Sequence, residues 1–169
     1  MARRRPLLAL ACAALAAACS KSDSAAPESF EFPKGFLFGT AIAGFQVEAG
    51  CPSAALTDCV DKSSDWYDWV TKPELVSDPS TFVRNDPITR GPGFFELYPQ
   101  DLDRAKNELS NGALRLSIEW SRIFPTSTVG IEDPAAIAAA ASKSGVAFYH
   151  AVFAAMKTRG LVPLVTLNH

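Results

Sequence analysis

Residues Ala113–Glu119 read Ala-Leu-Arg-Leu-Ser-Ile-Glu, an alternation of period two that specifies a β-strand. Leu114, Leu116 and Ile118 fall on one face, and Arg115, Ser117 and Glu119 on the other. A buried parallel strand is normally apolar on both faces, so a polar row constrains what this chain can become. Desolvating a guanidinium costs several kcal/mol unless a carboxylate pairs with it. Arg115 therefore calls either for a partner carboxylate across a polar cavity, or for an antiparallel strand with one wet face. Both arrangements are open at this level.

The flanking segments narrow the choice. Phe36–Ala41 is a short apolar run of strand type, followed by the Gly-punctuated segment Ala43–Gly50 with its polar Gln46 and Glu48. Cys51–Gly93 is long and dense in Pro, Ser and Asp, and loops of this length are uncommon unless functional. Within it, Trp66 and Trp69 stand three apart, a spacing that favours a short helix pinning the loop to the body over indoles that stack on a ligand. Tyr98, Leu102, Ala105 and Leu109 form one face of an amphipathic helix expected to start at Pro99 and stop near Asn111–Gly112. Asp133–Pro134 is an N-cap and first-turn pair for an Ala-rich helix. The spacing predicts an interruption near Gly145, with Val146, Tyr149, Phe153 and Met156 carrying one face onward to a stop at Gly160. Leu161–Leu167 reads as a last strand with Pro163 near its start. Strands separated by helices imply βαβ units and a parallel sheet. Three parallel strands with raw edges are not a finished fold, so the sequence reads as the front end of something larger.

The 169 residues are 48% hydrophobic with a net charge of −2, an ordinary globular composition. Beyond the first few residues Lys and Arg form no patch, so nothing suggests nucleic acid as a partner. Arg3, Arg4 and Arg5 precede the apolar run Pro6–Ala18, the layout of a secretory signal and too short to span a membrane comfortably. The run ends in Leu15-Ala16-Ala17-Ala18-Cys19, similar to a bacterial lipoprotein signal cleaved before a lipidated Cys, although Ala16 occupies the usual Leu position. Residues 1–18 are thus expected to be a signal, 19–29 a polar tether and 30–169 the globular part. The expected location is the bacterial cell envelope, the periplasm or the exterior, with membrane contact only through lipid on Cys19. Cys12 would leave with the signal. Cys51 and Cys59 bracket a short loop and suggest a disulfide in an oxidising compartment, with a metal site as the alternative.

Several motifs together resemble glycoside hydrolase family 1, the β-glucosidase and β-galactosidase family. They are Phe36–Ala41 with Phe45-Gln46-Val47-Glu48, the run Arg115–Pro125, and Val165-Thr166-Leu167-Asn168-His169. Ser64–Trp69 and Gly91-Pro92-Gly93 are similar to the branch that includes archaeal β-glycosidases. The resemblance runs from Phe32 to His169 and implies an α/β fold, the first three or so strands of a (β/α)₈ barrel, with the site at the C-terminal strand ends. It implies that Gln46 and His169 bond sugar hydroxyls, that Trp120 walls the pocket, and that Arg115 pairs with a nucleophilic glutamate. It implies no metal and no cofactor. A retaining glycosidase needs two carboxyls about 5–5.5 Å apart. The family carries them in Asn-Glu-Pro and Glu-Asn-Gly segments, neither of which occurs in this sequence. Glu48 and Glu119 match neither position and are not expected to be catalysts.

The expected function is therefore a retaining β-glycosidase, present as a piece that is inactive alone. The alternatives are a non-catalytic carbohydrate-binding surface lipoprotein and an unrelated α/β-barrel enzyme, although no phosphate-binding Gly loop or metal-ligand cluster supports the latter. Mass spectrometry of the mature N terminus is expected to find lipid on Cys19; an unmodified Cys19 in a soluble secreted product would rule anchoring out.

Overall fold

The computed structural model describes residues 29–53, 58–81, 83 and 86–169. The expected signal, Cys19 and the expected tether through residue 28 lie outside the described residues. The described residues fall into two compact units that divide between Phe36 and Leu37. In the first, the Phe36 N–H closes a turn on Pro33 O at 3.0 Å, and the Phe32 and Phe36 rings lie 4.6 Å apart.

The second unit is organised by strands β1 (Gly39–Ala41), β2 (Ala113–Ser117) and β3 (Val162–Thr166), which form a parallel sheet in that order. Arg115 stands in register with Ala41 on one side and Leu164 on the other. The parallel pairing decides between the two arrangements open to Arg115, because β2 is central and neither of its faces is an open antiparallel surface. Leu114 and Leu116 lie in the core with Phe94 and Leu102 of helix α4 (Phe94–Asn107) and Phe148, Val152 and Met156 of helix α7 (Lys143–Thr158). Each such side chain contributes about 1.5–3 kcal/mol on burial. Arg115 and Ser117 point to the face away from these helices.

Between β1 and β2 lie three shorter helices, α1 (Gly44–Glu48), α2 (Asp65–Thr71) and α3 (Pro73–Ser77), and a 3₁₀ turn at Ile88–Arg90. Helices α5 (Trp120–Ile123) and α6 (Pro134–Ala140) follow β2. The expected strand through Glu119 ends instead at Ser117, because the Glu119 N–H turns away from the sheet to the Tyr149 hydroxyl at 2.7 Å. Helix α4 starts at Phe94 rather than Pro99, behind Gly93 in a left-handed conformation (φ 76°). Pro99 sits inside it, and its carbonyl accepts from Arg159 Nη2 at 3.1 Å. Leu109, expected on the buried face, is 59% exposed, since the helix ends at Asn107 and Ser110 reverses the chain at φ 54°. Arg159 clamps Asp103 through two bonds of 2.8 and 2.9 Å, joining the end of α7 to α4.

Two further expectations change. Helix α2 forms as expected, capped by Ser64, but its indoles do not pin it. Trp66 and Trp69 are 39% and 43% exposed and meet edge to face at 5.7 Å, whereas the buried anchor is Ser64 itself. Asp133 caps α6 through Ala135 N at 3.1 Å, yet the helical break falls at Ala141–Ser142, not at Gly145. Ser142 caps α7, and Gly145 is its third residue, pressed against the Arg122 backbone. A Cβ there would overlap the Arg122 carbonyl oxygen and lie 2.9 Å from its carbon. Glycine is kept at this place for close approach, not to end a helix.

Gly145→Ala is therefore expected to destabilise the chain by about 1–3 kcal/mol, although Ala favours a helix interior over Gly by about 1 kcal/mol. Equilibrium urea unfolding checks this; a variant as stable as the parent would mean that α7 and Arg122 can separate freely.

Candidate functional site

The C-terminal ends of the three strands open onto one cleft of about 720 Å³. Gln46 enters it from α1 after β1, Glu119 and Trp120 from the turn after β2, and Asn168 and His169 from the end of β3. Ser117, the last residue of β2, forms part of its floor, with Oγ 3.0 Å from His169 Nδ1. Gln46 and His169 are exposed, and Trp120 is 57% exposed with its ring 4.9 Å from that of Phe124. Gln46, Trp120 and His169 thus come together from three separate parts of the chain.

Arg115 lies one inward position before Ser117 and is half-buried. Its Nε donates to Thr166 Oγ1 at 2.7 Å. Among the described residues no carboxylate pairs with it, so its charge lacks the partner that its position calls for.

Both glutamates are engaged in hydrogen bonds within the unit. Glu119 Oε2 accepts from the Phe45 N–H at 2.9 Å, capping α1 from outside that helix, and Oε1 accepts from Ser121 Oγ at 3.1 Å and Ser64 Oγ at 3.3 Å. Gly44 permits this approach, because a Cβ there would lie 2.7 Å from Glu119 Oε2. Ser121 Oγ also reaches Asp61 Oδ2 at 2.7 Å. Glu48 is 2% exposed and accepts from Arg122 Nε at 2.7 Å and the Tyr149 hydroxyl at 2.6 Å. Burial pushes the Glu48 carboxyl above the ordinary carboxylate range, against the opposing pull of Arg122 and of the Tyr149 hydrogen bond. Burial, next to the Glu48 carboxylate, likewise raises the Tyr149 phenol.

Arg122 completes the cluster. Nη1 donates to Asp58 O at 2.9 Å, and the guanidinium carbon stands 4.4 Å from the Phe95 ring centroid and 5.6 Å from that of Phe148. Nη2 is buried without a hydrogen-bond partner among the described residues, where the aromatic faces offset part of the desolvation. Cys51 and Cys59 are joined by a disulfide with Cα atoms 5.3 Å apart, closing the loop that carries Asp58. No group of three or more His, Cys, Asp or Glu among the described residues could hold a metal ion.

Sequence reasoning missed Arg122, Tyr149, Ser64 and Asp61. A signal existed for two of them. Arg122 follows the strand motif close to Trp120, Ile123 and Phe124, and Tyr149 puts a hydroxyl on a helix face otherwise destined for the core.

The description "Glycosyl hydrolase family 1" belongs to the family model that matches residues 28–169. Beta-glucosidase 24 of Arabidopsis thaliana is 39% identical over 139 residues, covering 82% of this chain and 22% of that protein. A beta-galactosidase of Saccharolobus solfataricus is 29% identical over 157 residues, covering 83% of this chain and 30% of the other. Among solved structures, the hyperthermophilic beta-glucosidase from Pyrococcus furiosus superposes with a TM-score of 0.68 at 30% identity, over 83% of this chain and 32% of that one. Fpglu1 from Fervidobacterium pennivoraus gives 0.70 at 34%, over 82% and 30%. The chain spans between a fifth and a third of the length of these relatives, and its three-stranded sheet is part of a (β/α)₈ barrel.

Arg122→Met is expected to cost about 3–5 kcal/mol, because it leaves a buried carboxylate without its counter-charge. The loss should grow with pH. A carboxyl whose folded pKa lies above its unfolded value binds more protons in the folded state, so stability falls as pH rises through that window. Unfolding midpoints at about pH 5 and about pH 8 test this; a deficit equal at both would mean that Glu48 does not titrate in the window.

Proposed function

The chain belongs to glycosyl hydrolase family 1, and from that premise we propose that it supplies the glycone-binding part of a retaining β-glycosidase acting on β-glucosides or β-galactosides. One observation carries the reading. Gln46, Trp120 and His169 converge on a single cleft at the strand ends, and on the inward row beneath them Arg115 has no carboxylate partner among the described residues. Amide and imidazole groups suit the hydroxyls of a pyranose, and an exposed indole suits its apolar face. In a complete barrel the nucleophilic carboxylate would meet Arg115, which would keep it ionised at neutral pH. The acid/base and nucleophile segments do not occur in this chain, so the chain alone is expected to bind sugar without hydrolysing it. That combination equally suits a carbohydrate-binding surface lipoprotein anchored through Cys19, the second reading. Export of the chain forms part of both.

Two measurements test the reading. Calorimetric titration of the expressed chain with an aryl β-glucoside is expected to show binding that Gln46→Ala or His169→Ala weakens, and no release of the aryl group. Turnover abolished by replacing Glu48 or Glu119 would overturn the assignment of both as structural. In a complete barrel, Arg115→Met should lower kcat more than it raises KM and move the acidic limb of the pH–rate profile upward by about 1–3 units. An unmoved limb at full kcat would reduce Arg115 to a structural charge.

A further inference from the structure

We propose that Tyr149 is a positioning residue for the cleft: its hydroxyl, oriented by Glu48 and Arg122, fixes the turn that carries Trp120 relative to the helix that carries Gln46. The inference rests on the reading of those two side chains as sugar contacts.

At the end of β2 two consecutive amides part company. The Ile118 N–H donates to Thr166 O on β3 at 3.0 Å, whereas the Glu119 N–H donates to the Tyr149 hydroxyl at 2.7 Å. Tyr149 stands on α7 and is 3% exposed. A phenol has one proton to give, and an ionised carboxylate can only accept. At 2.6 Å from Glu48 Oε1 that proton goes to Glu48, which leaves the oxygen lone pairs for the Glu119 N–H. Glu48 is held in turn by Arg122 Nε on its other oxygen at 2.7 Å. Every polar atom of the chain Glu119 N–H, Tyr149, Glu48, Arg122 Nε therefore has a fixed direction.

The two ends of this chain are the two walls of the cleft. Glu48 is the last residue of α1 and lies two residues after Gln46, while Glu119 immediately precedes Trp120. The Glu119 carboxylate also returns to the first turn of α1 at the Phe45 N–H. Helix α1 is thus held at its start by Glu119 directly and at its end by Glu119 through Tyr149 and Glu48. Core packing does not require the hydroxyl. The Tyr149 ring meets Phe148 at 4.9 Å, and a phenylalanine would fill the same space. What the oxygen adds is the link between the walls, and displacements of about 1 Å matter at such sites.

The test compares the expressed chain with its Tyr149→Phe variant by amide hydrogen exchange and by fluorine NMR of 5-fluorotryptophan-labelled protein, alongside titration with an aryl β-glucoside. Exchange at Glu119 is expected to accelerate at least about tenfold, with Ile118 nearly unchanged. The Trp120 resonance is expected to move while that of Trp69 stays, and glucoside affinity is expected to drop by about tenfold. Glu119 and Ile118 accelerating by the same factor, with Trp120 unmoved, would overturn the proposal. Failure of the parent chain to bind the glucoside counts against the functional reading alone, since exchange and the Trp120 signal still decide whether the hydroxyl is the link. Should Tyr149→Phe not fold, exchange of the parent chain is read instead: a Glu119 N–H protected as strongly as that of Ile118 supports the link, and an unprotected one overturns it.

Discussion

The buried pair of Glu48 and Arg122 is the interaction on which the other parts of the unit depend. Arg122 holds α1 through Glu48, the disulfide-closed loop through Asp58 O, and α7 through the close approach of Gly145 to its own carbonyl. Two charges out of water need excellent geometry and further hydrogen bonds to be tolerated. Here Tyr149 donates one to Glu48, Asp58 O accepts one from Arg122, and the Phe95 face covers the guanidinium. A hydrophobic replacement could pack as well, but it could not orient the Tyr149 hydroxyl. The pair specifies a direction as well as holding elements together.

Strand β2 divides the unit into a half that folds and a half that presents chemistry. Its Leu114 and Leu116 face meets α4 and α7 and gathers the apolar core. Its Arg115 and Ser117 face turns to the cleft side, where Ser117 meets His169 and Arg115 meets Thr166. The arrangement explains how a strand central in a parallel sheet can carry a polar row without a charge stranded in apolar packing. Glu119, the next residue of that row, is diverted to cap α1, so a side chain that looks available for catalysis is already committed.

The chain's own pattern was enough for its three strands, its longer helices and the residues placed at the strand ends, because each signal there is local. Period two marks β2, Asp133–Pro134 and Gly160 mark helix ends, and the motifs around Gln46, Trp120 and His169 follow strands, whose C-terminal ends are where such sheets bind ligands. Where reading failed, the deciding contact was distant. Gly145 looks like a helix breaker until Arg122 is seen against it. Pro99 looks like a helix start until Gly93 is found to begin the helix earlier. Trp66 and Trp69 look like anchors until Ser64 proves to be the buried one. Nothing local says that Tyr149 speaks to Glu48, from which it is separated by 101 positions.

By itself the sequence determined the order of the three strands and the longer helices, the two faces of β2, the family and the residues at the strand ends, since these depend on periodicity and on short motifs read along the chain. Only the tertiary structure decided which acidic groups are free. Burial and hydrogen-bond partners set whether a carboxylate is a reagent or a brace, and for Glu48 and Glu119 those partners come from Arg122, Tyr149 and the start of α1. The same holds for Arg115: its sequence position shows that a charge is present, and only the packed sheet shows that, among the described residues, no carboxylate answers it.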